Sequence, residues 1–176
     1  MGIIRRSFRY LDESIFLKLY KSLVRPHLEY AVQVWHPYQK KDIRKVEGVQ
    51  RRATKQINNL REDDYKVRLK KLKLPTLLYR RLRGDAIEAY KQLTGKYDHE
   101  VSDLLHLQSI VRPQITTRGN SLKLHKRHAT HRSCINSFSY RVVDLWNRLP
   151  DDIVTAPSVP AFERRLDNHW EKLIVK

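Results

Sequence analysis

The chain has little of what builds a disulfide-stapled, membrane-embedded or phosphate-loop protein. Of its 176 residues one is a cysteine, Cys134, which excludes an internal disulfide and points to a reducing, intracellular setting. Its five glycines stand singly, so no glycine-rich loop is available to wrap a phosphate. No apolar run reaches the length of a membrane span. The opening MGIIRRSFRYLDES interrupts its short apolar stretch with charge, leaving no secretory core. Arg6 occupies the position where a myristoylation start requires serine or threonine. These absences lead to the expectation of an intracellular protein, nuclear or cytoplasmic, with no membrane partner. Negative charge is also scarce, with 19 Asp and Glu against 36 Lys and Arg, a net +17 and a pI near 10.2. Such an excess costs self-repulsion and is tolerated when a polyanion relieves it.

What is present is enough to fold. The length suits one domain with a small appendage, and 40% hydrophobic residues argue against wholesale disorder. The charge is unevenly distributed. Residues 1–97 carry 24 Lys and Arg against 10 Asp and Glu, net +14, whereas residues 98–176 carry 12 against 9, net +3. The electrostatic footprint therefore belongs to the first part.

Apolar spacing predicts a mainly α-helical bundle over 1–97, an irregular linker over 98–134 and a C-terminal helical segment over 135–176. Asp12 or Ser14 can cap a helix whose stripe is Ile15, Phe16, Leu19 and Leu23. Pro26 starts a second helix or kinks the first, with Leu28, Ala31, Val32 and Trp35 continuing the face to a stop at His36-Pro37. From Asp42, the residues Ile43, Val46, Val49, Ala53 and Ile57 fall on one side. A short helix follows Asp64 with Tyr65, Leu69 and Leu72 inward. Pro75 opens a long one through Leu78, Leu82, Ala86, Ala89 and Leu93, closed by Gly95. After residues 98–134, where only Leu104, Leu105 and Leu107 suggest a turn, regularity returns. Phe138, Val142, Leu145, Trp146 and Leu149 suit a helix ended by Pro150, and Phe162, Leu166, Trp170 and Ile174 suit a last one.

Catalytic chemistry finds few candidates. Two metal ions for polymerisation need paired carboxylates on a strand turn, but Asp63-Asp64 and Asp151-Asp152 sit where carboxylates cap helices and turns. His125, His128, His131 and Cys134 are all competent zinc ligands. A spacing of three, however, spreads them round a helix and alternates them on a strand. No metal, cofactor or catalytic residue is expected. The basic clusters remain: Lys40, Lys41, Arg44 and Lys45; Arg51, Arg52 and Lys55; Lys66, Arg68, Lys70, Lys71 and Lys73; Arg80, Arg81 and Arg83. A single cluster is an ordinary solvated helix face, but four in succession favour a polyanion groove. Tyr65, Tyr79 and Tyr90 fit either stacking on bases or a place in the core.

The order of motifs carries a resemblance. LYKSLVRPHLEYAVQVWHPY (19–38), IRKVEGVQRRATKQI (43–57), DYKVRLKKLKLPTLLYRRLRGDAIEAYKQLTG (64–95) and SYRVVDLWNRLPDDIVTAPSVPAFERRLDNHW (139–170) resemble one region. It is the stretch after the palm domain in non-LTR retrotransposon reverse transcriptases of the CR1/Jockey-like kind, and MGIIRRSF is similar to its beginning. The resemblance implies a helical thumb that grips the phosphates of an RNA–DNA or RNA template–primer. It also implies a palm-bearing reverse transcriptase chain as a possible partner, because the fingers, the palm and the Tyr-x-Asp-Asp aspartates are absent. Arg51, Arg52, Lys55, Arg80, Arg81 and Arg83 match the family's motifs and form the expected nucleic-acid-binding set, the alternative for some of them being a pairing with Glu47, Asp85 or Glu88 within the bundle. Without the palm, Trp35 and the Ile3, Ile4, Phe8 group are expected to expose apolar surface.

Overall fold

A computed structural model describes residues 11–97, 104–114 and 119–174, with side chains through Glu171. The expected Ile3, Ile4, Phe8 surface, and the inward placement of the Ile174 side chain, lie outside what is described. The chain is mainly helical, and among the described residues its only β-pairing is one antiparallel bridge, Leu107 with Leu124. Packing gathers it into two compact units, Met1–Arg81 and Leu82–Lys176.

The described part of the first unit begins with α1 (Glu13–Leu19), whose N-cap Asp12 accepts from Ile15 N at 2.6 Å. Proline then shapes the chain. Pro26 lacks an amide hydrogen and its ring crowds the carbonyl four residues back. The preceding turn, Tyr20–Val24, accordingly widens to π-type spacing before α2 (Arg25–Glu29). The helix expected to run on to Trp35 instead breaks at Tyr30-Ala31, where Ala31 adopts φ 49° and α3 (Val32–Trp35) begins. The Tyr30 carbonyl released by that break is taken up by Trp35 Nε1 at 2.6 Å.

Next come α4 (Lys40–Thr54), a 3₁₀ turn (Asn58–Leu60) and α5 (Tyr65–Lys71). Asp64 caps α5 as expected, accepting from Lys66 N at 3.1 Å. The helix ends in a Schellman motif: Leu74 N donates to Leu69 O at 2.9 Å and Lys73 N to Lys70 O at 3.2 Å. Lys73 sits at φ 50°, where glycine is usual. The buried pair Leu69 and Leu74 supplies the apolar contact of that motif. With Phe16, Tyr20, Ala53, Ile57, Leu60 and Leu72 they make the core of the first unit.

The long α6 (Leu77–Leu93) contains the division between the units and closes with Gly95 at φ 65°. Its later residues Ala86, Ala89 and Tyr90 belong to the second core. The charge boundary near residue 97 and the packing boundary at residue 81 are thus different features, one of surface and one of core. The second unit continues through α7 (Gln108–Val111), α8 (Arg132–Ile135), α9 (Phe138–Asn147), α10 (Asp151–Val154) and α11 (Val159–Ile174). Phe162 stacks between Tyr90 (4.4 Å between centroids) and Trp146 (5.9 Å).

The described part of 98–134 is irregular in backbone but is not a spacer. Leu105 and Leu124 are buried in this core, with Leu107 and Leu122 packed against it. Side chains of α9 bind the loop's backbone. Trp146 Nε1 donates to Leu122 O at 2.7 Å, and Asn147 pairs with Leu124 N and O at 2.8 and 3.0 Å. No repeating apolar pattern signals such anchoring, because the partner groups are carbonyls and amides rather than side chains.

Candidate nucleic-acid interface

The helix α4 separates its side chains cleanly. At ~100° per residue, Lys40, Arg51, Arg44, Lys55, Lys41, Arg52 and Lys45 follow one another round an arc of about 140°. All seven are exposed. Gly48 is the one further residue in that arc. Both carboxylates of α4, Asp42 and Glu47, lie outside it. The opposite side turns Gln50, Ala53 and Thr54 into the first unit's interior. Asp42 in the first turn and Arg51 and Arg52 in the last suit the helix dipole.

Among the described carboxylates, only Asp42 meets this face, pairing with Lys45 at 3.5 Å across exposed surface, a contact of little strength. Lys40, Lys41, Arg44, Arg52 and Lys55 have no described carboxylate partner. Arg51 lies over the Tyr65 ring at 4.9 Å. The face spans about 22 Å at 1.5 Å per residue, enough to meet several consecutive phosphates of a strand.

Beneath it lies a polar cluster that local spacing does not foretell. Buried Gln50 accepts from Tyr20 OH at 2.6 Å and donates to Tyr65 OH at 3.1 Å and Pro75 O at 3.0 Å. Glu47 accepts from Tyr65 OH at 2.5 Å and from Leu77 N at 3.1 Å. Burial, with Glu29 and Glu47 nearby, pushes the Tyr20 hydroxyl well above the usual tyrosine value. Burial and the bond to Glu47 do the same for Tyr65. Both hydroxyls stay protonated donors, and the cluster fixes the rotation of α4 that turns its cations outward.

The six expected binding residues separate into two groups. Arg51, Arg52 and Lys55 are exposed on α4 or at its end. Arg81 is buried, 1% exposed, and so presents no charge at the surface. Arg80 is half-buried and makes a two-pronged ion pair with Glu29, through Nη2 at 2.8 Å and through Nε. Arg83, in the second unit, clamps Asp167 at 2.7 and 3.0 Å and reaches Glu163 at 3.2 Å. The hydrogen bonds to Asp167 hold its guanidinium even more firmly protonated. The expectation that these three grip nucleic acid meets a physical obstacle, since Arg80 and Arg83 are engaged by carboxylates of their own units and Arg81 is buried. The partners Glu29, Glu163 and Asp167 lie too far along the chain for local spacing to reveal them.

Arg68 behaves similarly. It is buried and bonded to Thr54 Oγ1 at 3.0 Å and to Asp63 O. Lys66, Lys70, Lys71 and Lys73 remain exposed, Lys71 pairing with Asp63 at 2.7 Å. Of the three tyrosines considered for base stacking, Tyr90 is buried with its hydroxyl on Ala156 O at 2.6 Å. Tyr65 and Tyr79 are half-buried.

The carboxylate pairs act as caps and ties. Asp64 caps α5, and the Lys66 amide holds its carboxyl below the usual range. Asp151 accepts from Ser121 N at 2.7 Å, which lowers its carboxyl likewise. Among the described residues no three of His, Cys, Asp and Glu gather as a metal would require; His125, His128, His131 and Cys134 are not brought together. Among the described residues, too, no helix is long and apolar enough to cross a membrane. No family model, curated protein or solved structure matches the chain. The chemistry available is therefore that of an exposed row of cations, of which only Lys45 has a described carboxylate partner.

Proposed function

We propose that this chain is a thumb-like fragment of a retrotransposon RNA-directed DNA polymerase, one that grips the sugar–phosphate backbone of a template–primer without reading its sequence. The observation that carries the reading is the face of α4, on which seven exposed cations run along one side of a single helix. Contacts of this kind go to phosphate and sugar and fix position rather than specificity. The resemblance of 19–38, 43–57, 64–95 and 139–170 to the region after the palm supplies the family. Asp64 caps a helix, Asp63 pairs with Lys71 and Asp151 accepts from Ser121 N, in keeping with a fragment that does not polymerise alone and relies on a palm-bearing chain for catalysis. An intracellular setting, nuclear or cytoplasmic, accompanies that role.

The test is binding to an RNA–DNA hybrid across a salt series. The parent chain is expected to show a steep log–log slope. Replacing Arg51, Arg52 and Lys55 by Gln lowers that slope by roughly 2–3, at about 0.7–0.9 for each phosphate no longer neutralised. Replacing Arg80 and Arg83 by Gln leaves the slope unchanged and reduces thermal stability instead. A folded parent chain that fails to bind at low salt removes the proposal, as does a slope insensitive to the triple replacement.

A second reading, an interaction remnant without a nucleic-acid role, draws on one specific observation. Tyr30 and Val34 are 82% and 87% exposed, next to the partly exposed Trp35 and Tyr38, an apolar surface of the kind that partners cover. Association that persists in high salt favours that reading, and binding that collapses in high salt favours the first.

A further inference from the structure

Gly48 has no explanation inside the molecule. It lies in the middle of a helix, where glycine is the least favourable residue short of proline. Its backbone does not demand glycine, since the positive-φ positions are Ala31, Lys73, Gly95 and Gly119. Packing does not demand it either. An added Cβ would meet only Arg52 Nη1 at 3.4 Å, ordinary contact with the end of a flexible side chain. A helix that tolerates this weakness, where neither conformation nor packing asks for it, leaves room for something outside the chain.

The surroundings indicate what that is. Successive turns of α4 present Lys40 with Lys41 and Arg44 with Lys45, then Gly48 alone, then Arg51 with Arg52 and finally Lys55. The one turn lacking a cation is flanked on both sides by cation pairs. Beside it opens a cleft of about 510 Å³ lined by Arg44, Gly48, Arg51 and Lys66, and also by Glu47, whose carboxylate is already taken up by Tyr65 OH and Leu77 N. An anion held from both sides descends furthest where no side chain stands beneath it. Glycine serves close backbone approach in this way.

We infer that Gly48 is the point of closest approach of a nucleic-acid strand. A sugar edge would rest on the helix backbone there, with the flanking phosphates accepting hydrogen bonds from Arg44 on one side and Arg51 and Arg52 on the other. The occupant is a sugar–phosphate strand rather than a small phosphorylated molecule, because the cations continue along the helix well beyond one phosphate. The inference rests on the nucleic-acid reading above and deepens it by placing the strand in depth and register.

The experiment compares the full chain with Gly48→Ala and Gly48→Gln for thermal stability and for affinity toward a short RNA–DNA hybrid. Both variants keep every charge and improve helix propensity, so Tm is expected to rise by about 2–4 °C. Affinity is expected to fall, several-fold for alanine and roughly tenfold for glutamine, the scale of a single charge-assisted hydrogen bond. A raised Tm with unchanged affinity overturns the inference. A lowered Tm also overturns it, by showing that the fold itself requires the glycine. A parent chain that does not bind takes the functional reading with it, and that outcome is recognised without any variant. A parent that binds, with variants that bind equally well, removes the Gly48 approach alone.

Discussion

In the first unit a buried glutamine ties two tyrosines and a carbonyl together, and a row of cations faces outward with one described carboxylate, Asp42, beside it. In the second unit the core centres on stacked Tyr90, Phe162 and Trp146, a buried carboxylate, Asp85, lies among the enclosed groups, and three basic side chains are matched with acids. Arg83 pairs with Asp167 and Glu163, Arg141 clamps Asp85 at 2.9 Å with both prongs, and Lys126 holds Asp144 at 2.6 Å. Residues 1–81 carry 21 Lys and Arg against 8 Asp and Glu, net +13; residues 82–176 carry 15 against 11, net +4. The difference teaches that net charge marks the more basic unit, while pairing marks which of its side chains are left open to a polyanion. Arg51 and Arg80 resemble each other in sequence, each within a run of basic residues. Only the second has a carboxylate, Glu29, across from it.

The largest expected effect breaks the second unit's core. Trp146 is fully buried, stacks on Phe162 and donates to Leu122 O. Trp146→Ala removes the ring and orphans that carbonyl, and is expected to cost about 3–5 kcal/mol in chemical denaturation. Because the charged face of α4 belongs to the other unit, the salt slope for hybrid binding should survive wherever the variant remains folded. A loss of slope at full folding would show that the two chemistries are not separable.

A smaller effect is expected from the first unit's polar centre. Gln50→Ala leaves the Tyr20 and Tyr65 hydroxyls and the Pro75 carbonyl without their shared partner. It should cost about 2–3 kcal/mol, the desolvation of buried groups left unmatched. Unlike Trp146→Ala, it should also weaken hybrid binding, since this cluster sets the rotation of α4. Unfolding with full retention of affinity per folded molecule would dissociate the cluster from the basic face.

How far the sequence reveals these units depends on whether a feature is local. The cap at Asp64, the close at Gly95 and the inward Phe138, Val142 and Trp146 were legible, because each is a relation among residues a few positions apart. The cations of α4 were legible as a cluster for the same reason. The burial of Arg81, the pairing of Arg83 with Asp167 and the anchoring of Leu122 and Leu124 were not. Each depends on groups 23 to 84 positions away, or on burial that charge disguises. The break at Ala31 was hidden as well, because nothing in alanine's local preference indicates a left-handed conformation.

The smallest effects should appear in acid, and they distinguish the units by cause. Asp64 in the first unit and Asp151 in the second both have carboxyls held below the ordinary value of 3.8. A lowered carboxyl contributes stability that is complete above its unfolded value and disappears as pH falls through its folded value. Asp64→Asn and Asp151→Asn should therefore differ from the parent by a constant amount above about pH 5 and converge with it as pH falls through the lowered folded-state value. The cause at Asp151 is hydrogen bonding from Ser121 rather than the attraction of a positive charge. At Asp64 the Lys66 amide leads, and the positive charges of Arg68 and Lys66 assist. Added salt screens charges far more than it screens a hydrogen bond. Urea midpoints for the Asp64 variant should therefore draw closer to the parent in high salt, while those for the Asp151 variant keep their separation. Equal responses would mean that the charge surplus of the first unit does not reach its own helix caps and is confined to the outward face of α4.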